Sequence, residues 1–284
     1  MHLLLRPGSR PTRLTDLEGK FAVHRADLLD AAAVVQAMRL SRPAVVYHLA
    51  ALGVAPWQRQ RLDVLATNLL GTAHLLDAWS ETEGRLVQSG TSWEYGAHAE
   101  PRREDSPLRP RGDYAVAKAA ATLLCQSEAL AGRPIVTVRI FSAYGPGEDP
   151  HRLVPYVMGC CLRGETARVS YGTQQRDFIH ADDVIEFLDC AAHHPNAPGR
   201  ILHAGTGRAT SVREAIETIL TVCGRGRGHA EFGAVSMRPD DLASNIADVT
   251  QTTAVTGWRP RYDLRAGIER LLAWLHRTAA ARAA

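Results

Sequence analysis

The chain has 284 residues, enough for one large α/β domain or a domain with a smaller partner, and 45% hydrophobic with 22% charged residues is ordinary globular composition. The formal charge of +3 is small for this length and the arginines are scattered, so nucleic-acid binding is not implied, and no apolar run approaches a membrane span. Cys125, Cys160, Cys161, Cys190 and Cys223 form an odd set with no Cys-x-x-Cys and no signal peptide. They read as reduced thiols of a cytoplasmic protein, and no ligand spacing suggests a metal site.

Short apolar strands alternate with amphipathic helices over the first half. His2–Leu5 reads as a strand ending at the turn Arg6-Pro7-Gly8-Ser9, and Phe21–His24 as a second that closes at Asp27. A helix is expected over 30–40, a third strand over Ala44–Leu49, one helix from Leu62 to Ser80, and a fourth strand over Arg85–Ser89. The helix carrying Tyr114 follows, then a fifth strand over Ile135–Arg139. This alternation predicts a doubly wound parallel sheet with its chemistry at the carboxyl ends of the strands, where Ser89–Ser92 fall. From Phe141 the pattern loosens into Gly- and Pro-containing turns. The expectation is a cofactor-binding domain over 1–140 and a smaller substrate lobe over 141–284, interleaved with the sheet and closed by a helix over Leu264–Arg277.

Lysine occurs only at Lys20 and Lys118, and Lys118 stands four residues after Tyr114. On a helix that spacing places phenol and ammonium on one face. A nearby cation favours the phenolate, so the tyrosine can exchange protons with an alcohol or ketone oxygen near neutral pH. A surface pair is the plain alternative.

Further motifs bear on that choice. They are Val46-Tyr47-His48-Leu49-Ala50-Ala51, Asn68-Leu69-Leu70-Gly71-Thr72, Ser89-Gly90-Thr91-Ser92-Trp93-Glu94-Tyr95-Gly96, Phe141-Ser142-Ala143-Tyr144-Gly145-Pro146-Gly147 and Arg176-Asp177-Phe178-Ile179-His180-Ala181-Asp182-Asp183. In this order, over nearly the whole chain, they resemble the extended short-chain dehydrogenase/reductases, the NAD(P)-dependent nucleotide-sugar epimerase/dehydratase family. The resemblance implies a Rossmann-like fold and a nucleotide-sugar substrate. It implies Tyr114 as acid/base, Lys118 on the nicotinamide ribose and Thr91 hydrogen-bonded to the reacting oxygen. It places Asp27 and Leu28 beside the adenine, with Asp27 also readable as a helix N-cap, and Leu49, Ala50 and Ala51 against the cofactor. Asn68 is either a shaper of the active-site helix or a polar residue within it. Arg176 and Arg238 are candidates for the substrate diphosphate, because guanidinium forks fit its oxygens. The His180–Asp183 cluster is read as structural. A homodimer is implied by relatives that pair through the Tyr114 helix, where Ala115, Ala119 and Thr122 would permit close packing. Sugar specificity is expected in loops around Trp57, Trp93 and 152–155.

Two departures stand out. Family 4,6-dehydratases carry an acidic pair directly after the Thr, whereas Ser92 and Trp93 stand here, with Glu94 one place further on. That favours ketone reduction, or the oxidation and re-reduction of an epimerase, over elimination. The Gly-rich phosphate turn is also missing, so the sheet is expected to lack its first strand and helix, with a gap where that strand would pair. An N-terminally truncated chain is the expectation, and a truncated non-catalytic binding protein the alternative of another class. Arg6, at the end of the first strand with Ser9 and Arg10 nearby, suits the extra phosphate of NADP better than NAD. The leading expectation is an NADP(H)-dependent reductase of a nucleotide-linked keto-sugar, with an epimerase as runner-up.

Overall fold

The computed structural model describes residues 1–283 apart from 10–12, 15–16, 18, 55–57, 59, 80–83, 100, 225–227 and 238–240, with backbone alone for 279–283. Arg10, Trp57 and Arg238 therefore lie outside the described residues.

In chain order the elements are β1 (His2–Leu5), β2 (Ala22–Arg25), α1 (Ala31–Ser41), β3 (Val45–His48), α2 (Arg61–Leu65) continuing through a π-turn (Ala66–Leu70) into α3 (Gly71–Trp79), and β4 (Arg85–Thr91). After a 3₁₀ turn (Ser92–Tyr95) come α4 (Asp113–Leu130), β5 (Ile135–Ile140), β6 (Ser142–Tyr144), α5 (Leu153–Leu162), β7 (Thr166–Val169), β8 (Gln175–Arg176) and β9 (Phe178–His180). Then follow α6 (Ala181–His193), β10 (Ile201–Ala204), β11 (Thr210–Ser211), α7 (Val212–Cys223), β12 (His229–Phe232), β13 (Ser244–Asn245), α8 (Thr250–Thr256) and α9 (Leu264–Ala283). Two compact units result. The first comprises Met1–Glu94, Pro110–Val138 and Ala191–Ile201, and the second Tyr95–Arg109, Arg139–Cys190 and Leu202–Ala284.

In the first unit β3 pairs parallel to β4, with Val45 opposite Arg85 and His48 opposite Gln88. The four-stranded sheet runs β10-β5-β4-β3, and β1 pairs parallel with β2 in a separate sheet. Among the described residues no strand joins the two sheets, and Tyr47 on the edge strand β3 is exposed. The core gathers Leu28, Val34, Met38, Leu75, Leu76, Trp79, Leu86 and Ile135. Arg133 stacks over the Trp79 ring at 4.2 Å and donates to the Leu76 carbonyl, fastening the end of α4 to α3.

Pattern alone predicts one helix over Leu62–Ser80, but the helix is broken by a π-turn at Ala66–Leu70. The cause is Asn68. Its amide nitrogen donates to Val64 O at 2.8 Å and to Leu52 O at 2.7 Å, which widens the turn locally. The small face of α4 also departs from expectation. Ala115, Ala119 and Thr122 are buried within the first unit, leaving no surface there for a second copy. The apolar residues that α4 exposes are Val116, Leu123 and Leu130.

In the second unit Tyr144, Val154, Val157, Met158, Phe178, Ile216 and Ile268 form the core. Two aspartates of the Arg176–Asp183 motif hold backbone together. Asp177 is fully buried and accepts from Thr206 N at 2.7 Å, Thr206 Oγ1 at 2.6 Å, Gly207 N at 2.9 Å and Ala247 N at 3.1 Å. Asp183 accepts the backbone N–H groups of Arg261 and Tyr262, both at 3.1 Å. No cluster able to hold a metal ion occurs among the described residues.

Gly96 follows the 3₁₀ turn at φ +64°, and a Cβ there would lie 1.9 Å from the Arg109 carbonyl oxygen. Left-handed backbone and a backbone clash act together, so Gly96→Ala is expected to destabilise the protein by about 2–4 kcal/mol. Urea unfolding measures this, and an unchanged midpoint contradicts it.

Candidate active site

Helix α4 begins after Gly112, whose φ of +79° turns the chain into the helix. Tyr114 sits half-buried in the first turn, and Lys118 one turn later is 2% exposed. Ala115, Ala117, Ala119 and Ala121 around it are buried, and these small side chains bring the helix close to β4. The surface-pair alternative therefore fails for Lys118, which is an interior amine. Burial pushes its pKa down, opposed by the charge of Glu94 and more weakly by Cys125. The Cys125 thiol is itself pushed up to about 12 by burial, so it is neutral at ordinary pH.

Thr91 ends β4 and is buried at 6% exposure. Its backbone N–H donates to Glu94 Oε1 at 2.8 Å, and Trp93 N–H reaches Thr91 Oγ1 at 3.4 Å. The hydroxyl thus accepts a weak turn contact while its own proton can serve a ligand oxygen. Glu94 is wholly buried.

Asn68 does more than shape its helix. Leu52 N–H donates to Asn68 Oδ1 at 3.2 Å, so the side chain grips both backbone groups of Leu52 in the loop after β3. Gly53 follows at φ +96°, where a Cβ would meet Val64 Cγ1 at 3.0 Å and Tyr114 Cβ at 3.3 Å. Only glycine fits between α2 and the base of Tyr114. On the other side Thr72 Oγ1 donates to Asn68 O at 2.6 Å, which leaves it to accept from His48 Nε2 at 3.0 Å. His48 is therefore the Nε2–H tautomer, and burial first, then the Lys118 charge, lowers its pKa from 6.5 to about 3.

Leu49, Ala50 and Ala51 are exposed beyond the end of β3, whose His48 carbonyl accepts from Ser89 Oγ at 2.9 Å. Leu28 belongs to the core, and its carbonyl meets His74 Nδ1 at 2.8 Å. Asp27 accepts from Leu29 N–H in a turn at 3.0 Å, so the N-cap of α1 is Asp30 instead. Arg6 is exposed at the end of β1, and Arg25 beside it donates to Ser9 O at 2.6 Å.

Thr91, Tyr114, Lys118 and Asn68 thus fall in one connected part of the first unit. A phenol, an ammonium and a hydroxyl beside a bare glycine backbone and the open β3 edge fit the ribose and amide end of a nicotinamide cofactor. The arginine candidates do not join this arrangement. Arg176, in the second unit, is committed to Asp241, to Gln175 O at 2.7 Å and to Leu242 O at 2.8 Å. A diphosphate would have to compete with Asp241 for its fork. Arg238 lies outside the described residues. Two contributors escape the sequence reading. Glu94 is visible there only as a misplaced dehydratase acid, and His48 only as a strand residue, although a histidine in an apolar buried strand is itself a signal of a partner.

Residues 3–205 match the family described as "Epimerase: NAD dependent epimerase/dehydratase family". The Low-salt glycan biosynthesis protein Agl12 of Haloferax volcanii is 32% identical over 72% of this chain, which spans 66% of that protein's length. MoeE5, solved in complex with UDP-glucuronic acid and NAD, is 32% identical with a TM-score of 0.81, covering 91% of this chain and 86% of its own. The UDP-glucose 4-epimerase of Thermus thermophilus, solved with NAD, is 25% identical with a TM-score of 0.85, covering 97% and 90%.

His48 sets a pH dependence. Its folded pKa of about 3 lies below 6.5, so the unfolded chain binds a proton there that the folded protein refuses. The stabilising contribution is complete above pH 6.5 and is lost as pH falls toward 3. His48→Gln should flatten the acid limb of the unfolding free energy by roughly 1 kcal/mol per pH unit between pH 6 and 4. Reading the slope as a difference from wild type cancels His203, lowered to about 3, and Glu104, raised to about 7. Identical slopes would show His48 to be protonated in the fold.

Proposed function

The chain belongs to the NAD dependent epimerase/dehydratase family, and from that premise we propose that it moves hydride between NAD(P) and a carbinol or ketone carbon of a nucleotide-linked sugar, with Tyr114 as acid/base. The observation that carries this reading is the half-buried Tyr114 one helical turn before a buried lysine. When bound, the nicotinamide supplies or takes up the hydride. Tyr114 gives a proton to the sugar oxygen in reduction and removes it in oxidation. Lys118 holds the ribose hydroxyls, and its ammonium favours the phenolate. The Thr91 hydroxyl donates to the same sugar oxygen and orients the carbon. Leu49, Ala50 and Ala51 form the apolar rim along the cofactor, with Asp27 and Leu28 at its adenine end.

Reduction of a keto-sugar with NADPH is the first reading. Exposed Arg6 supports the phosphate of NADP, and Ser92-Trp93 in place of an acidic pair disfavours elimination. Epimerisation with NAD is the second, supported by the resemblance to an NAD-bound UDP-glucose 4-epimerase. Both use Thr91, Tyr114 and Lys118 alike. Arg176 and Arg238 stay candidates for the substrate diphosphate, Arg176 only by exchange with Asp241.

A nucleotide-linked 4-keto-6-deoxyhexose and NADPH should give stoichiometric cofactor oxidation, lowered about 100- to 10,000-fold by Tyr114→Phe. Isomer exchange without net cofactor consumption would select the epimerase reading. A fully active Tyr114→Phe variant would remove the tyrosine mechanism from both. Paired fluorescence titrations with NADPH and NADH rank the cofactors, and equal or tighter NADH binding would overturn the role of Arg6.

A further inference from the structure

Arg25 ends β2, and its partner across the sheet is Leu5, the last residue of β1. Arg6 follows directly. The two arginines therefore stand at the carboxyl ends of neighbouring parallel strands, where such sheets receive their ligands. Beyond Arg6 the chain closes a tight turn. Ser9 N–H donates to Arg6 O at 3.1 Å, with Pro7 at the second position and Gly8 at the third, at φ +79°. Proline supplies the negative φ that a type II turn needs at its second residue, and glycine the positive φ needed at its third. Arg25 is tied to this turn. Its Nη1 donates to Ser9 O at 2.6 Å and reaches Arg6 O at 3.5 Å. A guanidinium on one strand thus holds both ends of the turn that leaves the other, with Nη2 and Nε outside these two contacts.

We propose that Arg25 is a positioning residue for cofactor choice, keeping the Arg6–Ser9 turn closed so that the Arg6 guanidinium and the Ser9 hydroxyl meet the ribose 2′-phosphate of NADP together. The role rests on the NADP reading proposed above and adds to it a residue of the second strand. Its ligand is a phosphate monoester, an anion whose oxygens accept from guanidinium forks and hydroxyls at once. NAD carries a hydroxyl at the same place and gains little from a fixed turn. A loosened turn therefore weakens NADPH and spares NADH, whereas general damage to the first unit weakens both.

Fluorescence titrations of the whole chain with NADPH and NADH read this as a ratio of two dissociation constants. Wild type should favour NADPH. Arg25→Met should weaken NADPH about tenfold, with NADH changed by less than about twofold. Gly8→Ala separates position from charge, because it leaves every arginine in place. A Cβ there meets nothing within 4 Å, so its effect comes from the left-handed backbone alone. It should weaken NADPH by about threefold or more and again spare NADH. Both positions are exposed, and thermal melts of the two variants check their folding independently. A ratio unmoved by Gly8→Ala overturns the positioning role even where Arg25→Met lowers it, since charge alone would then be at work. Equal loss of both cofactors overturns it too, as the mark of a purely structural arginine. A wild-type preference for NADPH that both variants retain removes Arg25 and leaves the NADP reading standing. Wild type that binds NADPH no better than NADH, or binds neither, overturns that reading and this role together.

Discussion

The first unit is organised around a lysine whose side chain is buried. Lys118 lies inside an alanine-lined helix face packed on β4. Burial pushes its pKa down, and the charge of Glu94 opposes that shift. Several local oddities become necessary on this view. Small residues on α4 allow the approach, the turn after β4 points an acid inward, and Gly96 lets the chain leave that turn where no side chain would fit. His48 completes the set by remaining neutral. Its Nε2–H bonds to Thr72, and a second cation beside Lys118 would oppose the first.

A second constraint ties the loop after β3 to the helix that follows. Asn68 satisfies both backbone groups of Leu52 and still bonds back to Val64 within its own helix. A regular α-helix offers no such geometry, and the π-turn is the local adjustment that allows it. Leu52 then presents Gly53 against Tyr114, so the position of the phenol is fixed from α2 as well as from α4. Through Thr72 and His48 the same asparagine is linked to β3. One polar side chain thus relates the base of the tyrosine to the β3 edge, and a simple amphipathic helix would not.

What the sequence discloses, and what it hides, follows from the range of each interaction. The strands at Val45–His48 and Arg85–Thr91 are legible because a buried parallel strand needs an apolar run, which is a local property. Tyr114 and Lys118 are legible because helical spacing is local too, and scarce lysine makes the pair conspicuous. The break at Asn68 is not, since its cause is Leu52, sixteen residues away. The buried small face of α4 hides likewise. Alanine spacing is the same whether the face meets a second copy or its own sheet, and burial decides for the sheet. Glu94 is missed for a subtler reason. In sequence an acid beside a catalytic threonine reads as chemistry present or absent, whereas its partners are a backbone N–H three residues back and a charge on another element.

Arg176 shows the converse error, a motif residue whose type suggests a ligand but whose surroundings consume its bonding capacity. A guanidinium that suits diphosphate suits a carboxylate and two carbonyls equally well. In the second unit Asp241, Gln175 and Leu242 supply that set. Recognition of a diphosphate by this arginine would then be an exchange of partners, in which the gain is the difference between two anions and not the whole of one ion pair. Such a difference is small, and it leaves Asp241 to be satisfied elsewhere. The proposed proton and hydride chemistry therefore rests on Thr91, Tyr114 and Lys118 of the first unit and not on Arg176. The two are separable in physical terms, so the proposed arrangement of Thr91, Tyr114 and Lys118 is compatible with either keto-sugar reduction or epimerisation.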